Sequence, residues 1–170
     1  MFLMNQPFFI LCRLMKYKIP LQIVELEDDN FHLTALSVFS DGKTGRWIVD
    51  TGASRTVFDK NSKDKYSVPF EENGQLHTAG IGDKPVETTT ARMTPFFLEK
   101  MLVENLNVAL IDLSHINKLY SSAANLQICG LLGGDFLMRY NAVVDYRNRR
   151  MMLEKEGKIF SLKLFSTAVF

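Results

Sequence analysis

The sequence predicts a mainly β protein. Short runs rich in β-branched and aromatic residues recur along it, and acidic, Asp-Gly or glycine-rich turn signals close them. No stretch sustains the long 3.6-residue apolar period that a helix bundle needs. At 170 residues and 46% hydrophobic content, the chain suits one domain with appendages and can bury a real core.

The elements follow in order. The opening stretch "MFLMNQPFFILC" is apolar but lacks a basic start, and Asn5, Gln6 and Pro7 break it. No small-residue cleavage pattern follows, so it reads as an extension, with a degenerate signal as the alternative. Residues 1–14 are therefore set apart, and a domain is expected over 15–160. "KYKIPLQIVELEDD" and "FHLTALSVFSDG" read as strands. "RWIVD" follows a turn, and Trp47, Ile48 and Val49 form a short apolar run, as expected of a strand buried on both faces. "TVFD" is a further short strand, and "KNSKDKYSVPFEENG" a polar surface loop. Arms at Leu76–Thr78 and Val86–Met93 flank "AGIGDKP", a hairpin with a glycine-rich tip. "NLNVALIDL" is a strand, and "SHINKLYSSAAN" a short helix with Ser114 at its N-cap. "ICGLLGGDFLMRY" passes from strand through glycines into one short helix, with Asp135 expected at the N-cap. "NAVVDYRNRRMMLEKE" is a hairpin. The tail "SLKLFSTAVF", residues 161–170, is apolar and strand-like, suited to a dimer sheet or to its own subunit.

Several classes of function find no support. Twenty basic residues against nineteen acidic ones make no electrostatic case for nucleic acid or an anionic membrane. "RNRR" is too small a basic patch, and no apolar stretch reaches the ~20 residues of a membrane span. Two cysteines, Cys12 and Cys129, are no disulfide framework. His32, His77 and His115 stand apart and give no zinc spacing. "GLLGGD" lacks the Lys-Ser/Thr of a phosphate loop. His77, close to the hairpin tip, is either a surface histidine or a pH-sensitive element. No metal or cofactor is expected, and the compartment expected is cytoplasmic.

The chemistry centres on "WIVDTGAS". An apolar run delivers Asp50 to a turn of Thr51, Gly52, Ala53 and Ser54. Small residues let backbone N–H groups and hydroxyls approach the carboxylate, which favours its charged form and holds its geometry. Taken alone, such an acid could equally cap a turn.

The string from Ile48 to Ser54, then a glycine-tipped hairpin, then Leu131, Leu132, Gly133, Gly134 and Asp135, resembles the retropepsin-like aspartic proteases over residues 20 to 155. The resemblance implies an acid protease fold, closed and barrel-like, with a flap hairpin and one short C-terminal helix. It implies that Asp50 is catalytic, that Thr51 interlocks with its mate across a two-fold axis, and that Gly52 offers its carbonyl to the substrate. It places Ala53, Ser54, Gly80, Ile81, Gly82 and Leu132 at substrate, with Leu131 to Gly133 packing behind the loop. Asp135 is structural. The reaction implied is peptide-bond hydrolysis by water held between two aspartates.

No second Asp-Thr-Gly is present. Asp145 follows two valines, but Tyr146 and Arg147 are too bulky for the same turn. The partner acid is therefore expected to be Asp50 of a second copy, in a homodimer acting on peptide or protein substrates. Ser54 and Gly134 stand where the retroviral branch carries an Asp and often an Arg that can pair, so both charges are absent together. Arg55 and Asp135 are the candidates for a replacement pair. Two rivals stand beside this reading: a non-catalytic dimerisation or peptide-binding module of the same fold, and a protease acting only within a larger assembly or on its own chain.

Overall fold

A computed structural model of the chain describes residues 10–67, 76–78 and 86–160. Among them the strands are β1 (Ile10–Glu27), β2 (Asn30–Phe39), β3 (Thr44–Val49), β4 (Val57–Asp59), β5 (Tyr66–Ser67), β6 (Leu76–Thr78), β7 (Val86–Met93), β8 (Phe96–Leu98), β9 (Met101–Val103), β10 (Asn107–Ile111), β11 (Gly130–Leu132), β12 (Val143–Asp145) and β13 (Arg150–Phe160). The helices are α1 (Ser114–Ala124) and α2 (Gly134–Arg139). The mainly β class expected from the sequence is the class observed.

The strand path runs β12-β13-β1-β2-β3-β11-β4-β10-β7-β5. Its two ends do not pair, so the sheet is open among the described residues rather than closed into a barrel. β1 runs across the boundary drawn at residue 15. Its first half, Ile10 to Pro20, pairs with β13, and from Leu21 onward it pairs with β2. Pro20, which has no N–H to give a ladder, sits where the strand changes partner.

Two apolar clusters lie on opposite sides of the central strands. The larger gathers Trp47, Phe58, Phe96, Phe136, Met151 and their neighbours. Trp47 is fully buried and stacks on Phe96 with centroids 5.3 Å apart. Its indole N–H donates to Ser37 Oγ at 2.9 Å, which satisfies the ring's polar edge. The smaller cluster lies under α1 and joins Val24, Leu26, Leu113, Tyr120 and Ile128. Val49 packs on the larger cluster and Ile48 on the smaller. That two-sided burial is why Trp47–Val49 is a continuous apolar run.

Some element ends differ from the sequence reading. Leu113, not Ser114, is the N-cap of α1, and Asp112 Oδ1 accepts the Ser114 N–H at 3.0 Å. The helix ends at Asn125, whose φ of 51° is the left-handed stop that Asn tolerates. The polar stretch after β4 holds a 3₁₀ turn at Lys63–Lys65 and the short β5. β8 and β9 form a hairpin that the sequence reading left unassigned.

Candidate active site

Asp50 stands at the end of β3, where β11 lies parallel beside it with Leu132 opposite Val49. That close approach needs Gly130: a Cβ there would come 2.3 Å from the Val57 carbonyl oxygen and 2.6 Å from the Trp47 ring. The ladder continues one step further, as the Asp50 N–H donates to the Leu132 carbonyl at 3.1 Å. The chain then turns. Asp50 Oδ1 accepts the Gly52 N–H at 2.9 Å and the Ala53 N–H at 3.2 Å. Two amide donors on one oxygen fix the rotation of the carboxyl group. Oδ2 has no hydrogen-bond partner among the described residues.

The loop is clamped from behind by the start of α2. Gly134 donates its N–H to the Ala53 carbonyl at 2.7 Å, and Asp135 donates to Ser54 at 3.2 Å. Asp135 Oδ1 accepts the Thr56 N–H at 2.8 Å, the Thr56 hydroxyl at 2.6 Å and the Phe136 N–H at 2.8 Å. The same Thr56 hydroxyl oxygen accepts the Gly133 N–H at 3.2 Å. Gly133 is required, because a Cβ there would lie 2.4 Å from the Arg55 carbonyl oxygen. The glycines between Leu132 and Asp135 thus permit backbone contact between the two segments.

The model that describes the aspartyl protease family matches residues 36–136, more than half of the chain and a span that holds both segments of this lattice. The chain belongs to the aspartyl protease family. Among solved structures, a retropepsin-like aspartic protease from Rickettsia conorii is similar with a TM-score of 0.48 and 14% sequence identity, covering 90% of this chain and 100% of that one. The retroviral protease-like domain of Ddi1 from Leishmania major is similar with a TM-score of 0.49 and 15% identity, covering 79% and 98%. The comparison with curated proteins gives no match.

In this aspartyl protease family member, Asp50, Thr51, Gly52, Ala53 and Ser54 lie together on one loop. Thr51, Gly52 and Ser54 are exposed, and Asp50 and Ala53 half-buried. The flap arms β6 and β7 pair as expected, with Leu76 opposite Thr88 and Thr78 opposite Val86. Gly80, Ile81 and Gly82 lie outside the described residues. Leu132 is fully buried; its side chain belongs to the core, and its carbonyl supports Asp50. Asp135 is not the N-cap of α2, which is Gly133 and carries no side-chain cap bond, although it accepts the first-turn Phe136 N–H. It also reaches across to Thr56, and the Arg55–Asp135 pair considered from the sequence is absent from the ion pairs of the described residues.

Thr56 was not singled out from the sequence. Its signal is a lone hydroxyl residue wedged between the exposed Arg55 and the apolar Val57-Phe58, at a position that proves fully buried. Among the described residues, no group of three or more His, Cys, Asp or Glu side chains stands together as a metal site. No helix among them is long and apolar enough to cross a membrane.

Proposed function

We propose that the chain is an aspartic endopeptidase working as a homodimer, with Asp50 of each copy forming the catalytic pair. The observation that carries this is the half-committed carboxylate of Asp50, with Oδ1 held by two amides and Oδ2 unpartnered among the described residues. Three other described aspartates of the same chain are engaged elsewhere. Asp135 is held by Thr56. Asp59 Oδ1 accepts from the Asn61 amide at 2.9 Å. Asp145 accepts from Asn148 and pairs with Arg150 at 3.0 Å. A second copy brings an identical open carboxylate to a two-fold axis.

Two carboxylates about 3 Å apart share one proton, because both cannot easily ionise together. The charged member takes a proton from water, and the water oxygen attacks the scissile carbonyl carbon. The protonated member donates to the carbonyl oxygen. Breakdown of the tetrahedral intermediate returns a proton to the leaving nitrogen, and no acyl-enzyme forms. The extended substrate pairs its main chain with the flap strands. The reaction needs one charged and one protonated member, so kcat/KM follows a bell-shaped pH profile.

The test is cleavage of a peptide library from acidic to neutral pH, with a pepstatin-type inhibitor and Asp50→Asn as controls. Wild type cuts, the inhibitor blocks it, and Asp50→Asn is inactive. Excess Asp50→Asn chains mixed with wild type suppress activity in proportion to the heterodimer formed. A demonstrated dimer that cuts nothing identifies a binding module instead, and heterodimers with full activity refute the shared pair.

A further inference from the structure

We propose that His32 is a positioning residue: its hydrogen bond to Tyr120 holds α1 against the strands that carry Asp50, and protonation of the His32 ring loosens that hold. The bearing of this hold on catalysis rests on the protease reading above; the hold itself does not. His32 Nδ1 and the Tyr120 hydroxyl are hydrogen-bonded across 88 residues of sequence, with ring centroids 5.6 Å apart. Tyr120 is fully buried, and its hydroxyl has no other hydrogen-bond partner among the described residues. His32 is half-buried, so a proton can reach its ring.

The bond stands on the side of the sheet that Asp50 shares. Leu113 and Tyr120 form one cluster with Val24, Leu26 and Ile128, and Ile48, Val57 and Leu131 pack against it. Leu131 lies opposite both Ile48 on β3 and Val57 on β4. Asp50 follows Ile48 by two residues, the spacing that keeps side chains on one face of a strand. The register of β2 on β3, carried two residues beyond Thr34 opposite Ile48, sets His32 level with Asp50. α1 is thus a brace on the strands that frame the Asp50 loop.

Charged groups face this bond from several elements. β3 contributes Asp50 and Arg46, whose guanidinium donates to the hydroxyl of Thr34. β1 sets Val24 opposite His32, with the exposed Glu25 and Glu27 opposite Phe31 and Asn30. On α1, His115 and Lys118 are exposed, off the side that Tyr120 shares with Ile116 and Ala124. A neutral ring with its proton on Nε2 accepts the Tyr120 O–H at Nδ1. A protonated ring has donors on both nitrogens. The buried hydroxyl proton then loses its acceptor, which is costly to the packed helix.

The experiment follows amide hydrogen exchange of residues 114–124 in the full chain from pH about 8 to about 5, the range in which an imidazole changes charge. Amides of β13 are the internal reference. Protection of α1 in the wild type falls about five- to tenfold toward acid, the scale of one hydrogen bond. His32→Asn offers an oxygen near the place of Nδ1 and does not titrate, so it removes the step; Tyr120→Phe keeps the ring, lacks the hydroxyl and removes it too. In peptide cleavage, the ratio of wild-type kcat/KM to that of His32→Asn falls over the same pH range. Wild type and His32→Asn with the same pH dependence of α1 exchange overturn the inference. An exchange step with a flat kcat/KM ratio overturns the positioning role. No cleavage by the wild-type dimer overturns the protease reading and the positioning role with it, while the exchange result still decides the hold.

Discussion

Replacing Thr56 with valine removes one hydroxyl from a buried site while keeping the side chain's shape. In the wild type that hydroxyl donates to the Asp135 carboxylate at 2.6 Å and accepts the Gly133 N–H at 3.2 Å. The first bond is charge-assisted and contributes about 1.5–3 kcal/mol. Losing the second strands a buried N–H, at about 1–3 kcal/mol. Asp135 keeps the Thr56 and Phe136 amides, so its charge is not abandoned and the sum falls toward the lower end, at about 3 kcal/mol. For a chain of this size each kcal/mol moves Tm by about 2–4 °C, so Thr56→Val melts about 6–12 °C below wild type. Thr56→Ser loses only a methyl group and costs about 1 kcal/mol. The assay is reversible thermal unfolding followed by circular dichroism, with kcat/KM measured where every variant is folded. Activity of Thr56→Val falls beyond what unfolding explains, because the loop holding Asp50 is no longer clamped. A valine variant melting within about 2 °C of wild type, or a serine variant as weak as valine, refutes the clamp.

Three further outcomes follow from the same structure. Gly133→Ala forces a methyl group to within 2.4 Å of backbone; urea unfolding should show a loss of at least about 1–3 kcal/mol, and peptide cleavage a larger loss than Gly52→Ala gives. Asp145 is held below the ordinary aspartate value of 3.8, first by the Asn148 side chain and also by Arg150. Its contribution is complete above pH 3.8 and lost as pH falls through the folded value, so in urea unfolding across pH Asp145→Asn is less stable than wild type at neutral pH and the difference vanishes in acid. Burial pushes the Cys129 thiol well above its ordinary value, and the thiol donates to the Arg46 carbonyl. In a Cys12→Ser background, native Cys129 resists iodoacetamide at pH about 8 and reacts on unfolding; rapid native labelling contradicts this.

What was legible in the sequence was local. Trp47–Val49 reads as a two-faced buried strand because each of its residues meets a core. The flap arms read correctly because their turn carries glycines. The β8–β9 hairpin was hidden because its strands are three residues each, too short for a period of two to register. Its turn places Glu99 at a φ of 52° without the usual Gly or Asn. Asp135 was misread for the opposite reason. A lone Asp before an apolar helix is a good N-cap signal, but its partner Thr56 lies 79 residues away, and no local pattern announces a bond of that span. The resemblance to a family supplied what periodicity could not, namely that two distant segments meet.

That separation has a consequence for the order of events on the ribosome. The Asp-Thr-Gly turn leaves the tunnel early, yet the strand and glycines that hold it are translated roughly eighty residues later. Long-range pairings of this kind form last in folding. Until residues 130–135 emerge, the nascent chain carries Asp50 on a loop that lacks the Leu132, Gly134 and Asp135 contacts.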